Sequence, residues 1–283
     1  MARIYSEPWS DYELLDAGGS KKLERWGEVI TIRPERNAYF RSVKPFTFWQ
    51  KKAHFEFEEE EDHQKGQWKR LKPDAPTEWF INYRDIRMKL QLTKYKHLGF
   101  FPEQQINWEY IAKKIGKNDR FLNLFGYTGA ASLVARSVGG DVFHCDSVRQ
   151  VINWGKENME ASGLSDIHWV LEDALKFAQR EVKRGNRYKG IIMDPPAFGI
   201  GAGKERWKIE NRFPELLKIA LDLRQEDGFI IANTYSPKLD VKDVVEIVKN
   251  LAVSEKCGVD TLCMKTGSGK LIEYGQRTLI EPV

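Results

Sequence analysis

The stretch RFLNLFGYTGAASLVARSVGGDVFHCD, Arg120 to Asp146, decides the fold. Arg120 to Phe125 is an apolar run too short for a helix and reads as a strand. It runs into Gly126-Tyr127-Thr128-Gly129, where two glycines let the backbone turn sharply and approach a ligand closely. A helix of small residues follows (Ala130, Ala131, Ser132, Ala135). Gly139 and Gly140 then open a second apolar strand, Val142 to Cys145, which stops at Asp146. An acid about 20 residues beyond such a turn is where nucleotide folds hold a ribose diol, because a carboxylate accepts from both hydroxyls. The turn is not GxGxxG and sets no glycine against a pyrophosphate. The ligand therefore reads as a nucleoside without a diphosphate.

A second anchor lies at Gly190 to Phe198, GIIMDPPAF. A buried strand again ends on an acid, Asp194, and two prolines follow. Each proline lacks an N–H and holds the residue before it extended. The carbonyls of Asp194 and Pro195 are thus left to accept hydrogen bonds beside a carboxylate and the Phe198 ring, a setting for a flat group with N–H donors. Read alone, the motif fits a proline-stiffened loop equally well. At the end of a fourth strand, after a nucleoside site, it reads as functional.

NLFGYTGAAS, CDSVRQVINWGKEN, LEDALKF and DPPAF, taken in order, resemble the successive motifs of class I S-adenosylmethionine-dependent methyltransferases. Within that class they are similar to the group containing the bacterial large-subunit rRNA base methyltransferases, which read NxFxYTG and DPPxF. The resemblance covers Lys94 to the C-terminus. It implies a Rossmann-like α/β fold with a seven-stranded sheet and an antiparallel C-terminal hairpin. It also implies S-adenosylmethionine as cofactor and a small β-rich domain ahead of the catalytic one, so residues 1–93 and 94–283 are expected to form two domains.

Carried onto this chain, the resemblance places the cofactor against Phe125, Tyr127, Thr128, Gly129, Asp146, Ser147, Asp173, Ala174 and Asp194. Asp146 is assigned to the ribose hydroxyls and Asp173 to the adenine amino group, with Glu172 a close competitor for the second role. In the connector KHLGFFPEQQ, residues 96–105, the family reads Gly-x-Phe-x-Asp-x-Arg and covers the cofactor's methionine end. Phe101 and Gln104 are the expected contacts there. Glu103 matches the family acid, but Gln105 stands where Arg is usual. Asp194, Pro195 and Phe198 are the expected catalytic residues, and Lys204, Arg206 and Trp207 in the loop Gly199 to Arg212 are expected to bind substrate as a lid.

The acceptor atom is constrained by the cysteines. Cytosine-C5 chemistry needs a thiolate that adds to the ring. In the resembled family that cysteine follows the fifth strand, where this chain has Tyr235. Cys145, Cys257 and Cys263 sit in apolar strand patterns, odd in number and without disulfide or zinc-site spacing, which suits reduced thiols in a cytoplasm and no metal. A base nitrogen of structured RNA, of the large-subunit rRNA that the resemblance implies, is the expected acceptor. A protein or small-molecule substrate, or a nucleic-acid-binding module without catalysis, are the competing readings, and intact Asp146, Asp173 and Asp194 argue against the last. No apolar run is long enough to span a membrane, and MARIYSEPWSDYE does not read as a signal peptide.

The net charge of +4 is unevenly spread. Residues 1–120 hold 23 Lys and Arg against 19 Asp and Glu, while 121–283 hold 22 of each, so the whole excess lies in the N-terminal portion. Basic residues interleave with aromatics there (Lys21, Lys22, Arg25, Trp26; Trp68, Lys69, Arg70, Lys72; Arg84, Arg87, Lys89), as a nucleic-acid surface requires. The bland alternative, favoured for most of the tryptophans, is a small β core solvated by lysines. Residues 12–16 and 23–33 read as a hairpin, and 53–59, 67–71 and 79–92 as further antiparallel strands, with Pro34, Pro45, Pro73 and Pro76 breaking the intervals. The run Glu58 to Asp62 is expected to be a charged edge or turn.

Overall fold

A computed structural model of the chain describes residues 2–60, 65–200, 206–253 and 255–283. It divides into two compact units, one of Tyr5–Gln105 with Cys263–Tyr274, the other of Ile106–Leu262 with Gly275–Val283 and the N-terminal residues to Ile4. The connector beyond residue 93 is thus grouped with the N-terminal unit.

Strand β1 (Arg3–Ser6) leads into a five-stranded sheet of β2 (Tyr12–Gly18), β3 (Lys21–Trp26), β4 (Val29–Pro34), β5 (Phe55–Glu59) and β6 (Gly66–Arg70). The expected strand 23–33 is broken: β3 stops at Trp26, and Gly27, at φ 63°, turns the chain into β4. β4 and β5 run parallel. A parallel pair needs a long crossover, and the interval 35–54 supplies one carrying helix α1 (Phe46–Lys52). This helix was not legible in the sequence, since it is seven residues long and buries only Trp49, leaving no apolar period to read. The stretch 79–92 folds back on itself as the hairpin β7 (Glu78–Tyr83) and β8 (Ile86–Gln91), with Tyr83 opposite Ile86. The unit's apolar core includes Leu23, Ile32, Trp49 and Phe55.

The second unit starts with α2 (Gln105–Lys114) and then alternates. The order is β9 (Arg120–Leu124), α3 (Ala130–Ser137), β10 (Asp141–Asp146), α4 (Arg149–Ala161), β11 (Ile167–Leu171), α5 (Ala174–Lys183) and β12 (Tyr188–Met193). A small hairpin of β13 (Phe198–Ile200) and β14 (Arg206–Lys208) follows, then α6 (Ile209–Leu223), β15 (Arg224–Thr234), α7 (Val241–Leu251), β16 (Lys256–Lys265) and β17 (Leu271–Glu281). The sheet order is β1-β16-β17-β15-β12-β9-β10-β11. The pairs from β15 to β11 are parallel and β17 is antiparallel to β15. These are the seven expected strands, with β1 added at the edge. Helix α6 runs through Pro214. That residue lacks the N–H of a helix interior and obscures the pattern.

The direction of winding reverses between β9 and β12. From β9 the chain steps outward through β10 and β11, then returns to place β12 on the other side of β9. Ligands in open α/β sheets bind beyond the strand C-termini at such a switch point. The glycine turn after β9 and the DPPAF segment after β12 both lie there.

Candidate active site

Leu124, the last residue of β9, is in register with Met193, the last of β12. The Asp194 N–H donates to the Leu124 carbonyl at 3.3 Å, so the two motifs leave the sheet side by side. The turn after β9 is tightly constrained. Phe125 and Tyr127 adopt φ of 58° and 52°, a region that bulky residues enter only when their surroundings compel it. The Gly126 N–H donates to the Cys145 carbonyl (3.0 Å), the Tyr127 N–H to Asp146 Oδ2 (3.0 Å), and Asn158 Nδ2 to the Thr128 carbonyl (3.0 Å). Gly129 begins α3 at φ 90°, where a side chain would be strained. A Cβ at Gly126 would overlap the ring of buried His144.

Beneath the turn lies a polar layer that sequence reasoning missed. Asn123, His144 and Trp169 face one another across β9, β10 and β11. Asn123 Nδ2 donates to Ser132 Oγ at 2.9 Å, and that oxygen is 2.9 Å from His144 Nδ1. The Ser132 hydroxyl, with one donor and two acceptor sites, thus joins Asn123 to the His144 ring. Burial lowers the His144 pKa to about 3, so the ring is neutral at physiological pH. The available signal was a polar residue at each of positions 123, 132 and 144 inside otherwise apolar elements, which a reading of the turn alone does not weigh.

Asp146 ends β10 half-buried. Its Oδ2 accepts from Tyr127 and its Oδ1 from the Val148 N–H at 2.9 Å. Burial raises its pKa, and the backbone donors of Val148, Tyr127 and Ser147 oppose that shift. Ser147 is exposed, and Val148 beside it keeps 46% of its surface open, an apolar face that the sequence did not single out. Asp173 caps α5, accepting from the Lys176 N–H at 2.9 Å through Oδ1, and Ala174 behind it is buried. Its competitor Glu172 is committed elsewhere: both oxygens face the Arg180 guanidinium.

In the DPPAF segment Pro195 is buried, Pro196 is exposed, and Phe198 is 58% exposed although it follows a core strand. Trp207 Nε1 donates to the Pro196 carbonyl at 2.6 Å, and its ring sits 5.3 Å from that of Phe125. The indole therefore ties the DPPAF segment to the glycine turn. Phe198 to Ile200 pairs with Arg206 to Lys208, and helix α6 occupies residue 209 onward, so the expected loop 199–212 is a hairpin and helix at its flanks. Arg206 is exposed, and Lys204 lies outside the described residues.

Phe101 and Gln104 belong to the N-terminal unit. The Phe101 ring lies 5.0 Å from that of His97, and Gln104 is buried in a 3₁₀ turn, Pro102–Gln104, donating its N–H to the Phe101 carbonyl. Gln105, in the position of the family's arginine, accepts from the Glu7 N–H through Oε1 at 3.2 Å. Among the cysteines, Cys145 and Cys263 are buried, but Cys257 is exposed at the start of β16 and not embedded as its apolar surroundings suggested. Burial raises the Cys145 pKa, and the neighbouring Asp146, Glu172 and Asp173 raise it further, which keeps the thiol protonated.

A mainly parallel sheet with an antiparallel C-terminal hairpin, a glycine turn, a strand-end acid and DPPAF at its switch point define the class I methyltransferase fold. The profile of the S-adenosylmethionine-dependent methyltransferase family matches residues 62–235, more than half of the chain, and the chain belongs to that family. A solved S-adenosylmethionine-dependent methyltransferase from Agrobacterium tumefaciens superposes with a TM-score of 0.93 at 30% identity, covering 100% of this chain and 94% of the other. A methyltransferase crystallised with S-adenosylhomocysteine shares the fold, with a TM-score of 0.78 at 18% identity over 97% of this chain and 76% of the other. Among curated relatives, ribosomal RNA large subunit methyltransferase K/L of Shewanella frigidimarina is 30% identical over 63% of this chain. Ribosomal RNA large subunit methyltransferase K of Neisseria meningitidis serogroup B is 26% identical over 60%. The chain spans a quarter of the first relative's length (25%) and about half of the second's (52%). Among the described residues no helix is long and apolar enough to cross a membrane.

Proposed function

We propose that this chain transfers a methyl group from S-adenosylmethionine to a base nitrogen of ribosomal RNA. The observation that carries the reading is the pairing of Asp194 with Leu124, which sets a nucleoside-shaped turn beside a proline-stiffened acid and an exposed aromatic ring. The residues fit the cofactor. Asp146, oriented by two backbone N–H groups, is placed to accept from ribose hydroxyls, and Val148 and Ser147 offer a face to the adenine. Asp173 keeps its second oxygen for the adenine amino group, whereas Glu172 is taken by Arg180. Phe125, Tyr127, Thr128 and Gly129 present turn backbone to the amino-acid portion.

Bound S-adenosylmethionine supplies an electrophilic methyl group, and what remains for the protein is positioning and electrostatics. Asp194 and the Pro195 carbonyl accept from the N–H groups of a flat acceptor, and Phe198 stacks on its face. A base inside a helix must be unpaired or flipped out to reach them. Protonated Cys145, buried Cys263 and remote exposed Cys257 leave no thiolate for carbon-5 chemistry. The names of the relatives support rRNA as the substrate.

The test is transfer of labelled methyl groups to RNA from cells lacking the protein, followed by nucleoside mass spectrometry. Label in one N-methylated nucleoside of large-subunit rRNA is expected. Label in protein or in small metabolites, with none in RNA, overturns the substrate assignment.

A further inference from the structure

Between Glu35 and Glu56 the sequence has no acidic residue and five cations, Arg36, Arg41, Lys44, Lys51 and Lys52. All five are exposed, and none has an ion-pair partner among the described residues. Among the described residues, four of the eleven exposed large apolar side chains fall in the same short interval: Tyr39 at 86%, with Val43, Phe46 and Phe48. Exposed aromatics normally cost solubility, and their clustering marks a contact surface.

The segment is not a slack loop. Buried Asp16 accepts from the Lys44 N–H (3.0 Å), the Val43 N–H (3.3 Å) and Trp49 Nε1 (3.1 Å). Gly19 and Ser20 donate to the carbonyls of Phe40 and Ala38, and the chain at Ser42 lies so close on Gly18 that a Cβ there would overlap its backbone. The anchors Asp16 and Trp49 point inward, and the cations and rings that remain are turned out. Lys44 and Lys52 lie 5.8 and 5.1 Å from the Phe48 ring, so cation and stacking surface are adjacent.

The cationic segments that composition suggested behave differently. Lys22 is buried between Glu24 and Glu35, and Lys21 pairs with Glu56. Arg25 bonds the Ser10 and Gly27 carbonyls, and Lys69 and Lys89 pair with Glu58 and Glu78. Residues 36–52 differ from these in holding five exposed cations with no acidic residue among them.

We infer that the outward face of residues 36–52 is a docking surface for single-stranded segments of RNA, with Tyr39, Phe46 and Phe48 stacking on bases while the surrounding Lys and Arg contact phosphates. The inference rests on the RNA reading above. Aromatic rings beside unpaired cations on a rigid backbone are the elements of sequence-tolerant single-strand binding. The charge complementarity selects an anion, and the aromatics select one carrying flat rings.

Anisotropy titrations of a labelled oligouridine and of a transcribed rRNA fragment, over a range of salt, test it. Lys44→Ala/Lys51→Ala/Lys52→Ala should reduce the salt slope by about 2, at roughly 0.7 per lost phosphate contact on a single strand. Tyr39→Ala/Phe48→Ala, which removes two stacking contacts, should weaken binding at least roughly 30-fold at fixed salt, and Tyr39→Phe should restore the Tyr39 contribution. Thermal midpoints and S-adenosylhomocysteine affinity should match the wild type in every variant. Unchanged RNA affinity and slope in both multiple variants, with a wild type that binds and methylates RNA, overturns the surface and leaves the substrate reading intact. A wild type that binds no RNA overturns both, as does sedimentation with phosphatidylserine vesicles in place of RNA binding.

Discussion

Glu24 and Asp146 are both acids at sheet positions, and they do opposite work. Glu24, on β3 of the N-terminal unit, is fully buried and saturated: Arg33 grips it through Nε (2.7 Å) and Nη2 (2.8 Å), Tyr12 donates to it at 2.9 Å, and Lys22 lies 3.5 Å away. Asp146, at a strand end of the methyltransferase unit, is held by two backbone N–H groups and opens beside exposed Ser147 and Val148. The contrast separates a charge consumed by the fold from the one proposed to meet the ribose. A carboxylate whose partners are all protein side chains stabilises the fold, while one oriented by backbone at a crevice keeps capacity for a ligand.

The largest expected effect breaks the structural side of this pair. Glu24→Ala strands the Arg33 guanidinium in the interior, and removing one partner of a buried pair costs about 3–5 kcal/mol. Chemical denaturation of the N-terminal unit measures it, and a loss below about 1 kcal/mol would show that the cluster is dispensable. Lys22→Glu should be at least as damaging, since it sets a third carboxylate against Glu24 and Glu35; Lys22 is therefore no probe of phosphate contact.

Next comes Asp146, the acid proposed to hold the ribose. Asp146→Ala removes charge-assisted hydrogen bonds worth about 1.5–3 kcal/mol each, so calorimetry with S-adenosylhomocysteine should show affinity falling at least about 10-fold. The N-terminal unit should unfold normally in this variant. Undiminished affinity would move the ribose site elsewhere.

Acid sharpens the comparison further. The Glu24 pKa is lowered from 4.5 to about 2 by Arg33 and Lys22, which overcome the cost of its burial. A depressed carboxylate contributes stability that is full above pH 4.5 and lost as pH falls toward about 2. His97 and His144 are each lowered from 6.5 to about 3, mainly by burial. They must charge on unfolding, so their penalty begins earlier, as pH falls below 6.5. Stability should therefore decline in two stages on acidification, the first in both units and the second weighted to the N-terminal one. A curve flat between pH 6.5 and 5 would contradict the buried, neutral histidines.

The smallest effect is expected from the cysteines. The triple variant Cys145→Ser/Cys257→Ser/Cys263→Ser should keep its methyl-transfer rate, with only a modest loss of stability from the two buried positions. Abolished turnover in a folded single-cysteine variant would return carbon-5 chemistry to consideration.

The sequence by itself determined the methyltransferase unit in detail. Residues 120–146 and 190–198 carry strand, turn, helix and terminal acid within short windows, and local chemistry dictates them: a sharp turn needs glycine, and consecutive prolines hold a chain extended. What only the tertiary structure decided was everything depending on distant partners. It brought Asn123, Ser132 and His144 together beneath the turn, and it committed Trp207 to the Pro196 carbonyl. In the N-terminal unit it reversed the reading of the cations. The period of two along β3 turns Lys22, Glu24 and Trp26 to one face, where Arg33 and Glu35 close around the charged pair. Five exposed cations lie instead on a crossover that exists because β4 and β5 run parallel. Composition counts charges, but whether a charge meets a counter-ion or solvent is fixed by strand pairing between residues far apart in the chain.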